Sequence, residues 1–145
     1  NCVKAAGAMA PGTYATIAAI NPQQVPTAKS AISAYNKQFG SQNYTAYAIV
    51  SYAATQVMIN AIDKAIKANN GNKPTRKQVL AQLAKTKNFA SVVGPIGFDS
   101  HGDNTTKIVS VYQYTSADAT QAANEPYEGA YDFGKTPPAW TAASS

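Results

Sequence analysis

Cysteine and histidine occur once each in the 145 residues, as Cys2 and His101. A lone cysteine excludes an internal disulfide and a thiolate metal cluster. A lone histidine excludes metal centres that need two imidazoles. Charge is sparse as well: 12 basic and 7 acidic side chains amount to 13% of the chain, too few for a long charged disordered region. Arg76 is the single arginine, and the lysines are scattered from Lys4 to Lys135. A nucleic-acid surface gathers its cations, so the net charge of +5 reads as solvated helix faces, and no nucleic-acid partner is expected. No apolar run reaches the roughly 18 residues of a membrane-spanning helix. Groups for cysteine-, histidine- or metal-based chemistry are thinly supplied, and neither a metal nor another cofactor is expected.

What is present is apolar pattern, in a length that suits one domain. After the turn signal Pro11-Gly12, the β-branched and aromatic residues of Thr13 to Ile20 predict a short strand, stopped by Asn21-Pro22. A helix follows, with Thr27 as candidate N-cap, Ala28, Ile32, Tyr35 and Phe39 on one face, and Gly40 placed to end it. From about Tyr44 to Asn69 neither proline nor glycine interrupts the chain. There Tyr47, Val50, Ala54, Val57, Ala61 and Ala65 predict one apolar stripe of a long helix, widened by Met58, Ile62 and Ile66. A third helix is expected over Thr75 to Thr86, opened by a capping box between Thr75 and Gln78. Ile96 and Phe98 alternate as in a strand, and Ile108 to Tyr114 is the strongest strand pattern. The two are expected to pair as a β-ribbon over a polar turn, Asp99 to Asp103. Pattern dissolves after Ser116, where prolines mix with Tyr127, Tyr131, Phe133 and Trp140. That tail, 116–145, is either disordered or docked through its aromatics.

Asp99, His101 and Asp103 alternate as calcium ligands do, but no distal glutamate follows. A turn in which Asp99 accepts nearby amides and Gly102 takes positive φ accounts for the same residues. Ser100, His101 and Asp103 hold the residue types of a hydrolytic triad, yet neighbours in one turn seldom point at each other. The glycines at 94, 97 and 102 lack the spacing of a phosphate loop. Tyr44, Tyr47 and Tyr52 cluster at the start of the long helix, either as core or as the wall of a ligand cleft. The chain starts without Met or a signal sequence, which reads as a processed chain or part of a longer one, although Cys2 also permits a lipid-anchored start.

The run Gly94-Pro95-Ile96-x-Phe98-Asp99-x-x-Gly102-Asp103, followed by Val111-Tyr112-Gln113-Tyr114, resembles the last third of the solute-binding proteins of branched-chain amino acid ABC transporters. Gly12-Thr13-Tyr14, Tyr35-x-x-x-Phe39-Gly40 and Tyr52-Ala53-Ala54 match that family in order, except that Ala53 stands where an acid is frequent. The resemblance spans about residues 9–115 and leaves the tail outside.

It implies an α/β fold: part of a two-lobed periplasmic-binding-protein-like (type I) architecture, helix-rich with a few strands, 1–115 carrying segments of both lobes. It implies a binding protein, not an enzyme, that closes its lobes on an amino acid or similar small ligand. The rest of the receptor chain and the transporter's membrane subunits would be its partners. Its place would be periplasmic or extracellular, with any anchor in the missing N-terminus. Most ligand-holding residues of the family lie earlier than this chain, and only Tyr47 is carried over as a ligand contact. Lobe crossings are expected near Ile17–Pro26 and Asp99–Val111. The same architecture also serves sensors of amides, urea or aromatic acids. A small hydrolase and a helical interaction module stand as further readings. All of them face one physical fact: three helices and three strands leave apolar helix faces with too thin a sheet to cover them.

Overall fold

The structure is a computed structural model that describes residues 5–40, 46–117 and 126–143. Cys2 and Tyr44 lie outside the described residues. The chain divides into two units, one made of Asn1–Asn21 with Lys107–Ser145, the other of Pro22–Thr106. It therefore passes between them at Asn21-Pro22 and at Thr106-Lys107.

The first unit is a four-stranded antiparallel sheet. Strand β1 (Tyr14–Ile17) lies beside β4 (Ile108–Gln113), with Thr16 opposite Val111. Beyond β4 come β5 (Tyr127–Asp132) and β6 (Ala139–Ala142). β1 is shorter than Thr13–Ile20 because the Ala19 amide turns back to donate to the Ile17 carbonyl at 2.7 Å, which takes the chain off the ladder. The Ala19 carbonyl then accepts from the hydroxyl of Ser110, a fully buried side chain on β4. Tyr112, also buried, meets Tyr127 edge-on at 5.7 Å between ring centroids. Burial raises the Tyr127 phenol above its ordinary pKa.

β5 and β6 come from the stretch that showed no strand pattern. Glycine, alanine and prolines hide the alternation there, yet Tyr131 stands opposite both Val109 and Trp140. Gly129 explains part of this. Its φ is +150°, and a Cβ at that position would fall 2.5 Å from the Trp140 ring and against the Thr141 carbonyl. Only glycine lets the indole lie across the strand.

The second unit carries helices α1 (Lys29–Phe39), α2 (Ala46–Ala68) and α3 (Arg76–Leu83), with a short hairpin of β2 (Phe89–Ser91) and β3 (Gly94–Ile96). The expected ribbon is thus replaced by two separate pairings: β3 pairs with β2, and β4 pairs with β1 and β5. Val92-Val93, β-branched and strand-like in sequence, form the turn between β2 and β3. The Ser91 hydroxyl donates to the Gly94 carbonyl at 2.6 Å and accepts from the Val93 amide. Gly94 supplies the positive φ, +97°. The polar turn persists, closed by a single bridge between Phe98 and Asn104.

Thr27 does not cap α1. A 3₁₀ turn, Pro26–Ala28, leads into the helix, and the Thr27 hydroxyl donates instead to the Val92 carbonyl at 2.9 Å. Gly40 ends α1 with φ +82°. α3 opens with the capping box, both reciprocal bonds between Thr75 and Gln78 being present. It ends at Leu83, not Thr86.

The buried row of α2 is Ile49, Ala53, Val57, Ala61 and Ala65. Its strict four-residue spacing and small side chains let α3 pack close. That row differs from the stripe read in the sequence, which joined Tyr47, Val50 and Ala54 to Val57. Tyr47 and Ala54 are exposed. The helix is apolar on more than one side, so spacing alone does not say which side turns inward.

Candidate functional site

α1 and α2 flank a half-open pocket of about 460 Å³. Tyr35 and Phe39, one helical turn apart and 4.9 Å between ring centroids, form one wall. Ile49, Tyr52 and Thr55 of α2 form the other, and Val92 lines it from the β2–β3 turn. Val92 is pinned on both sides: its carbonyl accepts from Thr27 and its amide donates to the Gln56 side chain at 3.2 Å. Among the described residues the polar lining includes Ser30, Gln38, Ser51 and Thr55, and none of them that lines the pocket is charged. The Thr55 hydroxyl is engaged with the Ser51 carbonyl at 2.9 Å. Such a lining suits an uncharged, apolar body. The described lining residues offer no carboxylate for an ammonium and no lysine or arginine for a carboxylate.

Of the three clustered tyrosines, Tyr52 lines this cavity. Tyr47, the ligand contact implied by the resemblance, does not; it stands on the first turns of α2 with 59% of its surface exposed. Tyr35 and Phe39, on one apolar face of the helix by their spacing, form one wall of the pocket. Their four-residue spacing beside the uncharged start of α2 is the signal that would have found them.

The Asp99–Asp103 turn adopts the plain turn geometry. One carboxylate oxygen of Asp99 accepts from the amides of His101 and Asp103 at 2.9 and 3.0 Å, and Gly102 has φ +88°. Ser100 Oγ lies 3.5 Å from His101 Nδ1, and Asp99 lies 4.0 Å from that same nitrogen. A hydrolytic relay needs the acid and the nucleophile on opposite imidazole nitrogens, and this turn does not supply that arrangement. Among the described residues no group of three His, Cys, Asp or Glu could hold a metal. Nor is any helix among them long and apolar enough to cross a membrane.

Residues 1–124 match the family of periplasmic binding proteins. The leucine-binding protein of Thermotoga maritima shares the fold with 24% identity and a TM-score of 0.66, over 88% of this chain and 33% of its own. The solute-binding protein of an R. palustris ABC transporter, solved with benzoate, shares it with 15% identity and a TM-score of 0.58, over 99% of this chain and 35% of its own. No curated protein matches. The chain belongs to the periplasmic binding protein family, and its mixed helices and strands are part of the type I fold. It spans about a third of the length of the two solved proteins.

Proposed function

We propose that this chain is the C-terminal portion of an extracytoplasmic solute-binding protein that delivers amino acids, branched-chain or similarly small, to an ABC importer. The family match over residues 1–124 carries the reading. The division into two units joined at Asn21-Pro22 and Thr106-Lys107 supports its mechanism. Two lobes close on a solute, and the solute favours the closed form because only that form contacts it from both sides. Asn21 and Pro22, both buried, are suited to act as a hinge that bends about a fixed point. Tyr47, exposed and aromatic, lays its ring against the solute's apolar side chain. The protein acts by binding without chemical change of the solute. The rest of the receptor chain and the importer's membrane subunits are its partners, and any membrane anchor belongs to the rest of the chain.

A second reading, a receptor for aromatic acids or amides, is favoured by the benzoate complex of the R. palustris neighbour. One experiment separates the two. The intact receptor is heated with leucine, isoleucine, valine, other amino acids and benzoate in turn. A solute at about 100 times its Kd adds about 2.7 kcal/mol and raises Tm. A rise with aliphatic amino acids supports import of those solutes. A rise with benzoate alone moves the assignment to the second reading, and no rise with any solute ends both. Tyr47→Ala should weaken binding roughly tenfold and leave the unliganded Tm in place.

A further inference from the structure

The surplus of positive charge belongs to one of the two units. The helical unit, Pro22–Thr106, has nine basic and three acidic side chains, whereas the sheet unit has three basic and four acidic. Within the helical unit the cations gather further. Seven of the twelve basic residues fall between Lys64 and Lys87, and no acid occurs from Lys64 to Phe98. All seven are exposed. The fold holds this stretch together. α3 packs along α2, and the Gln78 side chain donates to that of Asn69 at 3.2 Å, tying the start of α3 to the end of α2. The Asn69 amide group also donates to the Lys73 carbonyl at 3.2 Å, which fixes the turn between the two helices.

Arg76 and Lys77 occupy the first turn of α3, where the helix dipole favours acids and disfavours cations. Helix stability therefore does not account for them. Leu80 shares their side of α3 and is 64% exposed, while Val79 and Leu83 are half-buried. Cations set around an exposed leucine fit a surface that is anionic outside and apolar beneath. Six of the seven cations are lysines, compact point charges that suit a diffuse anionic surface; arginine is the residue for bidentate carboxylate pairing across a protein interface. No aromatic ring lies between Lys64 and Lys87 to stack on a nucleic-acid base. We propose that this face of the helical unit docks on the anionic phospholipids of a membrane, its cations at the headgroups and Leu80 in the interfacial layer. The docking is peripheral and reversible, and it needs neither solute nor covalent anchor.

The test is flotation of the intact receptor with vesicles of phosphatidylcholine containing about one third phosphatidylglycerol, against vesicles of phosphatidylcholine alone. Binding to the anionic vesicles is expected, and it should be lost at about 0.5 M salt. Lys73→Gln, Arg76→Gln and Lys77→Gln together should weaken it about 100-fold. Lys107→Gln with Lys135→Gln, in the sheet unit, should weaken it less than about threefold. Leu80→Ala should weaken it about fivefold. No binding to the anionic vesicles, equal binding to both kinds, or full binding by the triple variant overturns the proposal. Binding only to vesicles of phosphatidylcholine that carry the importer's membrane subunits makes the partner an acidic protein surface and overturns it too. Should the triple variant misfold, the salt dependence of the unsubstituted receptor decides: binding as tight at about 0.5 M as at about 0.05 M salt overturns the proposal. A receptor that binds none of the solutes tried would end the transport assignment and leave the vesicle result standing.

Discussion

The sheet unit and the helical unit of this protein cover their apolar surface in different ways. In the sheet unit each strand lies antiparallel to its neighbour, so backbone groups pair from strand to strand and aromatic rings pack on rings. Tyr131 lies 4.8 Å from Trp140 and 5.9 Å from Phe133. In the helical unit backbone bonds close within each helix, and satisfying them says nothing about the faces. α2 buries one row, while Ile59 and Tyr52 remain open, and Leu80 of α3 is 64% exposed. A sheet recruits its next strand through the hydrogen bonds of its edge. A helix is finished internally and depends on another layer to cover its apolar flanks.

The sharpest way to break this comparison sets the two sides of α2 against each other. Ile49→Ala should cost about 3 kcal/mol in the intact receptor and in the 145-residue chain alike, since Ile49 is fully buried within its own unit. Ile59→Ala should cost about 2 kcal/mol in the receptor and less than about 0.5 kcal/mol in the shorter chain. Urea unfolding of the four proteins reads the difference. Equal costs for Ile59→Ala in both backgrounds would mean that the helix back is as well covered, or as bare, in one as in the other.

The sheet unit should respond next most strongly to Gly129→Ala. The added methyl meets the Trp140 ring and the Thr141 carbonyl, so about 2 kcal/mol should be lost. Trp140 is the single tryptophan, and its fluorescence should shift toward that of a solvated indole. An unshifted spectrum with unchanged stability would show that β6 is not held through this contact.

The smallest effect is one of pH. Burial raises the Tyr127 phenol above its ordinary value near 10, so the folded state holds that proton longer than the unfolded chain does. The neutral form is common to both states below pH 10, and stability is unaffected there. As pH climbs above 10 the unfolded phenol ionises first, and stability falls until the folded group follows. Tyr127→Phe should remove this part of the alkaline loss, seen as a flatter dependence of urea midpoint on pH. An unchanged slope would assign the loss to other groups.

Local chemistry was legible in the sequence. The capping box of Thr75 and Gln78, the stop at Gly40 and the Asx-type turn at Asp99 all depend on residues a few positions apart, and each forms as its spacing predicts. The boundaries between the two units fall at Asn21-Pro22 and Thr106-Lys107, where regular structure is interrupted. Pairing partners were not legible. β4 reads as a strand whichever neighbour it has, and the choice of β1 and β5 over β3 is made by segments far away in sequence. β5 and β6 were hidden because Gly129 and the prolines break alternation, although Gly129 is the residue that lets Trp140 pack. The pocket walls were half legible: Tyr52 lay in the tyrosine cluster, whereas Tyr35 and Phe39 showed only as one apolar face of a helix.

By itself, the sequence determined the capping box that opens α3, the glycine that ends α1, the polar turn at Asp99, that histidine and cysteine chemistry is poorly supplied, and which family the Gly-Pro-Ile-x-Phe-Asp string resembles. All of these are set by bonding within a few residues or by the inventory of side chains. The tertiary structure alone decided which side of an evenly apolar helix is inward, which strands are neighbours, and that the tyrosine at 52, not the one at 47, lines a cavity. The reason is that these choices depend on the contacts available to each surface, and such contacts come from chain distant in sequence.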